Sequence, residues 1–231
     1  MLNEGTIIAK ATASGISAIS VIRLSGVDSI KMVSNCFKTK SGKLLANQKS
    51  HTIHLGLIYD KERVIDEVLV SLFIGPNSYT GENVVEISCH GSTYIQQEIF
   101  QLFINEGAKP AKAGEYTLRA FLNQKINLIQ AEAVADLITS ESKAAHEVAL
   151  NQMKGGYTLL ISKLRQQLLD FASLITLELD FSEEDVAFAD RTELNKLVNG
   201  LQEKIELLIE SFQYGSVIMQ GVPVAIAGKP N

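Results

Sequence analysis

The chain has 231 residues, of which 46% are hydrophobic and 20% charged, and this composition excludes a chain that is disordered throughout. Its formal net charge of -5 excludes a free-standing binder of nucleic acid phosphates, because such binding depends on many lysines and arginines. Any contact with nucleic acid is therefore expected to be local.

The N-terminus and the two cysteines indicate the compartment. Glu4 stands where a signal peptide needs positive charge, and no uncharged apolar run approaches the roughly 20 residues that span a membrane. Cys36 and Cys89 lie far apart without metal-ligand spacing, which favours reduced thiols over a disulfide framework. We expect a cytoplasmic protein without a membrane segment.

The first half of the chain alternates between strand and helix patterns. Two segments, Val27–Phe37 and Ser92–Glu106, carry apolar residues at helical spacing. Short β-rich stretches surround them and are separated by Gly, Asn, Asp and Lys clusters. These patterns predict an α+β domain with a mixed sheet, whose strands are Thr6–Ala9, Ala18–Leu24, His51–Tyr59, Val64–Phe73 and Asn83–Ser88.

After about Ile126 the strand patterns stop and amphipathic helical patterns follow. The pattern over Ala144–Leu179 is interrupted by Gly155 and Gly156, and we predict a kink or break there because glycine destabilises a helix interior. The clearest pattern covers Leu194–Phe212 behind Thr192 as N-cap. The second half is predicted to be all-α, with part of the last apolar stripe uncovered.

A third pattern begins at Pro223. The short apolar run Val224–Ala227 predicts a buried strand, and Gly228 follows it as a turn. A phosphate loop also follows a buried strand and opens with Gly, but its Lys and its Ser or Thr come six and seven residues later. Gly228 and Asn231 are therefore predicted to belong to the start of a truncated phosphate loop, and we expect no GTPase activity from these residues alone.

Three separated motifs in the first half carry a resemblance to a known family. They are SVIRLSG at Ser20–Gly26, GPNSYTGENVVEISCHG at Gly75–Gly91, and AGEYTLRAFLNQK at Ala113–Lys125, which runs on into QAEAVAD at Gln130–Asp136. In this order and spacing they resemble the N-terminal signature of the MnmE (TrmE) family of tRNA-modification GTPases. The resemblance covers essentially the whole chain.

The resemblance implies a domain organisation. Residues 1–120 are expected to form a folate-binding and dimerisation domain similar to the aminomethyltransferase folate-binding fold, and residues 121–215 the first part of a helical domain. Residues 216–231 are expected to be a linker and the first strand of a truncated P-loop α/β GTPase domain. A homodimer through the N-terminal domain is expected as well.

The resemblance also implies a function. Members of this family, with the flavoprotein MnmG (GidA), add a carboxymethylaminomethyl-type group to carbon 5 of the wobble uridine (U34) of certain tRNAs. They use a tetrahydrofolate one-carbon unit and GTP hydrolysis. We therefore expect 5-formyltetrahydrofolate or a related tetrahydrofolate as ligand of this chain, with GTP, Mg and K bound by the full-length protein only.

The family's folate contacts fall on Arg23, Glu86 and Lys125. A carboxylate such as Glu86 accepts hydrogen bonds from the pterin amino and ring N–H groups, and cations such as Arg23 and Lys125 suit the carboxylates of the glutamyl tail or the formyl-bearing face. We expect the three side chains to converge in one charged pocket. A further contact comes from the family's far C-terminus, and no catalytic residue or metal site is expected.

Structural explanations remain open for these and other residues. Arg23 can be an exposed charge near a strand end, and Glu86 can belong to the solvated face of a strand. Cys89 and His90 can form a nucleophile pair or metal corner, although a strand-to-helix turn explains them better. An acidic run could be a metal cluster, but it suits the starts of helices better: Asp180, Glu183, Glu184 and Asp185. A basic stretch could touch tRNA, although folding and folate contacts explain it as well: Lys109, Lys112, Arg119 and Lys125.

Two other functions are compatible with the same sequence. One is a stand-alone folate enzyme of aminomethyltransferase type, which needs a catalytic carboxylate in the first domain and no nucleotide domain after it. The other is an architectural dimer module with a vestigial folate pocket. A Gly-Lys-Ser that completes the phosphate loop downstream excludes the first alternative, and folate binding excludes the second.

Overall fold

A computed structural model describes residues 5–180, 191–220, 225, 227 and 228 of the chain. Its contacts divide the chain into two compact units, residues 1–127 and residues 128–231. In the described part of the chain the first unit combines strands with helices and the second is built from helices. The predicted fold class, an α+β domain followed by helices, is confirmed.

The first unit is organised around one sheet in the order β3-β4-β5-β6-β2-β1-β7. Neighbouring strands are antiparallel, except that β7 runs parallel to β1. This order places β2 and β6 side by side near the centre of the sheet. The strand bounds are β1 Ile7–Lys10, β2 Ile19–Ser25, β3 Phe37–Thr39, β4 Thr52–Asp60, β5 Arg63–Phe73, β6 Val84–His90 and β7 Lys109–Pro110.

Helices α1 (Ser29–Cys36) and α2 (Thr93–Asn105) contribute to the core on one face of this sheet. Because side chains alternate along a strand, Ile22 and Leu24 of β2 lie in the core while Arg23 between them faces the other side. Phe103 of α2 is fully buried in the same core. The unit also contains a short 3-10 helix, Leu45–Asn47, and α3, Glu115–Leu122.

The predicted strands and helices of the first unit match the observed elements closely, but further elements were missed. Strands β3 and β7 and helix α3 were not predicted. Phe37, which ends the predicted helix Val27–Phe37, is the first residue of β3, and it is buried against the core. Strands β3 and β7, of three and two residues, are too short to show a period, and the buried residues of α3 do not form an apolar stripe.

The second unit contains α4 (Leu128–Thr139), α5 (Lys143–Met153), α6 (Gly156–Asp180) and α7 (Arg191–Gln220). The predicted break at the glycine pair is confirmed. Gly155 adopts φ +80°, a left-handed conformation that glycine adopts without steric cost, and its N–H donates to Gln152 O at 2.9 Å. This geometry ends α5 before α6 begins.

Two predictions near the end of the chain differ from the structure or fall outside it. Thr192 lies inside the first turn of α7 instead of preceding the helix as its N-cap. In the predicted strand Val224–Ala227, Ala225 and Ala227 have no regular secondary structure, as is also true of Gly228, while Val224, Ile226 and Asn231 lie outside the described residues. The predicted phosphate-loop start therefore stays a prediction.

Within the described ranges, no helix combines the length and the apolar character needed to cross a bilayer.

Candidate functional site

Arg23 and Glu86 form an ion pair on the face of the sheet opposite α1 and α2. Arg23 of β2 lies directly across from Glu86 of β6 in the antiparallel register. Two guanidinium nitrogens contact the same carboxylate oxygen. Arg23 Nε donates to Glu86 Oε1 at 2.7 Å, and Arg23 Nη2 lies 2.7 Å from that oxygen. Their side chains are 29% and 28% exposed, so solvent and ligands reach the pair.

Strand alternation explains why these two charges share a face. Val85 and Ile87, which flank Glu86, are buried in the core with Ile22 and Leu24, which flank Arg23. Charges flanked by core residues must point away from the core, and antiparallel partners point to the same side. The sequence thus brings the two charges together although 63 positions separate them.

Two tyrosine rings lie against the guanidinium of Arg23. The Arg23 Cζ atom is 5.5 Å from the ring centre of Tyr116 and 5.9 Å from that of Tyr79, within range of a cation–π interaction. The Tyr116 hydroxyl donates to the Arg23 backbone carbonyl at 2.6 Å, and burial raises the pKa of Tyr116 above its ordinary value. Tyr116 is therefore a neutral donor at physiological pH.

Lys125 is placed by the segment from Gly75 to Gly81. Its Nζ donates to the carbonyl of Pro76 at 2.9 Å. Its methylenes lie beside Gly81, where a built Cβ would come within 3.2 Å of Lys125 Cγ, so a side chain at this position would displace the lysine. Because Tyr79 belongs to the same segment, Lys125 is connected to the Arg23–Glu86 pair through this loop and not by direct contact.

A buried polar network anchors the same loop to the sheet. The Ser25 hydroxyl donates to Glu82 Oε2 at 2.7 Å, so its other contact, Thr80 Oγ1 at 2.7 Å, must donate to it. The Arg119 guanidinium binds Glu82 at 3.0 Å and Glu115 at 3.2 Å. Asn123 adds a bond to the Thr80 carbonyl at 2.7 Å. Ser25 of β2, Arg119 of α3 and Asn123 just after α3 thus hold the loop that carries Tyr79.

This network corrects one of the sequence hypotheses. Arg119 was considered part of a basic stretch that could touch tRNA, but its side chain is 3% exposed and paired with two carboxylates. It donates in addition to the Gly5 carbonyl at 3.0 Å. Arg119 therefore stabilises the fold and cannot contact a nucleic acid.

His90 and Cys89 do not form a nucleophile pair. His90 Nδ1 lies 2.7 Å from Asp66 Oδ1, and its backbone N–H donates to Asp66 Oδ2 at 2.8 Å, so Asp66 fixes the end of β6 before α2 begins. Cys89 points into the core, where burial, followed by the charge of Asp66, raises the pKa of its thiol to about 11. The interpretation as a strand-to-helix turn is confirmed.

The acidic run was the other metal candidate. Glu183, Glu184 and Asp185 lie outside the described residues, and Asp180 is the last residue of α6. Among the residues that the structure does describe, no group of three or more His, Cys, Asp or Glu side chains is arranged to hold a metal ion. Cys36 and Cys89 are both free and buried.

Two clefts of the first unit lie away from the Arg23–Glu86 pair. One, of about 600 Å³, lies between α2 and the connection that joins β1 to β2, and includes Lys10 at the end of β1 and Gln96 of α2. The other, of about 490 Å³, is bordered by Gly26, Gly75 and Glu82. Arg23, Glu86 and Lys125 line neither cleft. Arg23 and Glu86 are partly exposed and Lys125 is exposed, so solvent reaches all three side chains.

Sequence reasoning missed the residues that organise this surface. Tyr79 and Tyr116 lie inside the quoted motifs but were given no role, although an aromatic residue near a candidate arginine signals a cation–π contact. Glu82 also lies in a quoted motif, four residues before Glu86. Its pairing with Arg119 bridges 37 positions and has no local sequence signal.

Comparison with known families divides the chain at the same place as its contacts. Residues 6–125 match the family model described as GTP-binding protein TrmE N-terminus, and residues 128–223 match the MnmE helical domain. The first match ends at residue 125 and the second begins at residue 128, which is also the first residue of the second compact unit.

Curated relatives match the whole chain. It is 57% identical over 231 residues to the tRNA modification GTPase MnmE of Flavobacterium johnsoniae, 58% over 231 residues to that of Flavobacterium psychrophilum and 54% over 231 residues to that of Bacteroides thetaiotaomicron. Each alignment covers 100% of this chain and 50% of the relative. The chain thus spans about half the length of these relatives.

Proposed function

Because this chain belongs to the MnmE family of tRNA modification GTPases, we propose that it forms the folate-binding and dimerising part of a longer tRNA-modifying protein. The longer protein, together with the flavoprotein MnmG (GidA), adds a carboxymethylaminomethyl-type group to carbon 5 of the wobble uridine of certain tRNAs. A tetrahydrofolate supplies the one-carbon unit. GTP, with Mg and K, is bound by the GTPase domain, whose phosphate loop begins at Gly228–Asn231.

The observation that carries the folate proposal is the Arg23–Glu86 pair on an exposed sheet face. In this pair Nε and Nη2 of Arg23 are engaged by Glu86 Oε1, which leaves Arg23 Nη1 as donor and Glu86 Oε2 as acceptor for a ligand. A pteridine carries amino and ring N–H donors beside a carbonyl acceptor, so it matches this pair chemically. Lys125 adds a positive charge that suits the glutamyl carboxylates.

The residues would act by binding and orienting the folate. The one-carbon chemistry is supplied by the tetrahydrofolate itself. Glu86 would accept hydrogen bonds from the pteridine, Arg23 would donate to it, and Lys125 would attract the acidic tail. Since the site lies on an open surface, a second wall would come from another copy of the chain or from the part of the relatives that this chain does not span.

Dimerisation is supported by apolar side chains on the same open face. Ile53 is 67% exposed, and Leu55 and Leu69, which lie opposite each other on β4 and β5, are each 44% exposed. Exposed apolar residues grouped on one sheet face favour association. We expect Leu69→Glu to shift the sedimentation coefficient toward monomer, whereas Ile16→Glu, at a loop residue 85% exposed, leaves it unchanged.

A calorimetric titration tests the folate proposal. 5-Formyltetrahydrofolate is added to the wild-type chain, to Glu86→Ala and to Glu98→Ala. Glu98 is a matched control, because it is also a partly exposed carboxylate paired with an arginine, Arg63, but lies on α2. We expect binding by the wild type and Glu98→Ala and loss of about ten-fold or more in Glu86→Ala.

The alternatives give different results. If the wild type produces no heat, the folate proposal fails for this chain and the architectural dimer module becomes the better account. If the sequence that follows Asn231 in the longer protein completes the phosphate loop with Gly-Lys-Ser, a stand-alone aminomethyltransferase-like enzyme is excluded. Equal affinity of Glu86→Ala and wild type would instead remove Glu86 from the site.

A further inference from the structure

The tyrosines beside Arg23 suggest a role that goes beyond folate binding by the three charged residues. Arg23 has three independent contacts around its charged end: Glu86, the ring of Tyr116 and the ring of Tyr79. A free arginine side chain samples many rotamers, whereas these three contacts together restrict the orientation of the planar guanidinium. The ligand-facing atoms of the pair are then fixed before any ligand arrives.

Tyr116 is the more firmly held of the two tyrosines. Its hydroxyl donates to the backbone carbonyl of the same arginine whose guanidinium lies against its ring. It lies on α3, where Arg119 attaches the helix to the loop through Glu82 and to the residues just before β1 through the Gly5 carbonyl. Tyr116 therefore couples the position of Arg23 to the buried network.

Tyr79 closes the arrangement from the loop side. It is 40% exposed, and its hydroxyl lies 2.9 Å from Thr117 Oγ1 on α3. The loop that carries it is held by Asn123 through Thr80 and contacts Lys125 through Pro76. Of the two tyrosines, Tyr79 is thus the more accessible one, at the border between Arg23 and solvent.

Resting on the proposed folate function, we propose that Tyr79 and Tyr116 are positioning residues that clamp the Arg23 guanidinium, so that its free Nη hydrogens and Glu86 Oε2 hold fixed positions as donor and acceptor for the lactam edge of a pteridine. A lactam offers a carbonyl to the arginine and an N–H to the carboxylate. A 4-amino-4-deoxy pteridine offers an amino group in place of the carbonyl and a bare ring nitrogen in place of the N–H, so it mismatches this edge. The clamp therefore determines specificity as well as affinity.

The experiment measures affinity for two ligands that differ only at this edge: 5-formyltetrahydrofolate and its 4-amino-4-deoxy analogue. Both are titrated into the whole chain as wild type, Tyr79→Leu, Tyr116→Leu, Tyr79→Phe, Tyr116→Phe and Tyr94→Leu. Tyr94 is the matched control, since it is 58% exposed and also bonds an arginine, Arg63, but lies on α2. Thermal unfolding verifies that each variant is folded.

We expect the wild type to prefer the lactam about ten-fold or more, because a mismatched polar edge leaves hydrogen-bonding groups unpaired. Both leucine variants should lose most of that preference, chiefly by weaker binding of the lactam form. Both phenylalanine variants, which keep the ring faces, should retain it, as should Tyr94→Leu. A retained preference in the folded leucine variants would overturn the clamp.

Two further results separate this inference from the function on which it rests. If wild type binds 5-formyltetrahydrofolate but the leucine variants weaken both ligands equally, the tyrosines act on the site generally and the specificity role is wrong. If the wild type binds neither ligand, the folate function itself is wrong, and the clamp falls with it.

Discussion

The two units of the chain bury their apolar residues very differently. In the first unit, large side chains such as Phe103, Ile8 and Leu72 are completely inaccessible. In the second, the buried hydrophobic side chains among the described residues are Ala133, Ala145, Ala149, Leu164 and Leu201, and most are small. The first unit thus has a core made by its own residues, whereas the second exposes apolar faces that its described helices do not cover.

This difference has a functional consequence. The sheet of the first unit holds Arg23 and Glu86 at a fixed separation. Because the core beneath it is formed by the residues of this unit, no other part of the chain is needed to keep that geometry. The helices of the second unit expose Leu159, Leu207 and Ile209 at 72%, 65% and 62%. Part of the stripe predicted over Leu194–Phe212 is therefore uncovered, as the sequence suggested, with Val198 and Ile205 each 46% exposed.

The largest expected effect tests the completeness of the first core. Phe103→Ala should lower the free energy of unfolding of the first unit by about 3–5 kcal/mol, because it removes a fully buried ring and leaves a cavity. Urea denaturation followed by circular dichroism measures this change. A loss below about 1 kcal/mol would mean that the core is loosely packed and would abolish the contrast between the units.

The second effect tests the buried network beneath the loop. Glu82→Gln should lower the free energy of unfolding by about 2 kcal/mol, because Arg119 keeps its buried charge but loses one carboxylate partner. Glu98→Gln, which breaks the ion pair with the exposed Arg63 on the surface of α2, should lower the free energy of unfolding by clearly less than Glu82→Gln does. Equal losses in the two variants would remove the structural role assigned to Glu82.

The third effect is a pH dependence confined to the first unit, which holds both thiols. Burial raises the thiol pKa of Cys36 and of Cys89 from 9.0 to about 11. Because the thiol pKa is higher in the folded than in the unfolded chain, the folded state is favoured while the thiols are protonated. This contribution to the free energy of unfolding is complete below pH 9 and is lost as pH rises toward 11. We expect about 1–2 kcal/mol per thiol. The free energy of unfolding is measured by urea denaturation at several pH values between 9 and 11. In the Cys36→Ala, Cys89→Ala double variant it should fall less steeply with pH than in the wild type, and an equally steep fall would contradict this assignment.

The smallest effect is expected on the uncovered face of α7. Leu207→Ser should change the unfolding free energy of the chain by no more than about 0.5 kcal/mol, because this side chain is already in water. Leu201→Ala in the same helix, at a residue 8% exposed, should cost about 2 kcal/mol. If Leu207→Ser were as costly as Leu201→Ala, residue 207 would be covered in solution.

Elements with clear periodicity could be predicted from the sequence. The alternation around Glu86 and the helical spacing over Ser92–Glu106 placed β6 and α2 within two residues of their observed ends. The glycine pair marked the end of α5 because glycine adopts the left-handed conformation that this turn requires. The short α3 was missed because its buried residues, Arg119 and Ala120, do not form an apolar stripe.

The site was only partly accessible to the same reasoning. Motif resemblance selected Arg23 and Glu86, and alternation placed each on a strand face, but neither could establish that β2 and β6 are neighbours. The roles of Tyr79, Tyr116 and the Glu82–Arg119 pair depend on contacts between residues 37 to 93 positions apart. Such pairings are set by sheet order and helix placement, which a single sequence does not encode locally.

The central claim is that Arg23 and Glu86 act as one unit in binding a folate. A double-mutant cycle with Arg23→Met, Glu86→Gln and both together, titrated with 5-formyltetrahydrofolate, tests it directly. We predict that each single change weakens binding nearly as much as the double change, with a coupling of about 1–3 kcal/mol. Additive losses, or singles that bind as tightly as the wild type, would contradict the claim.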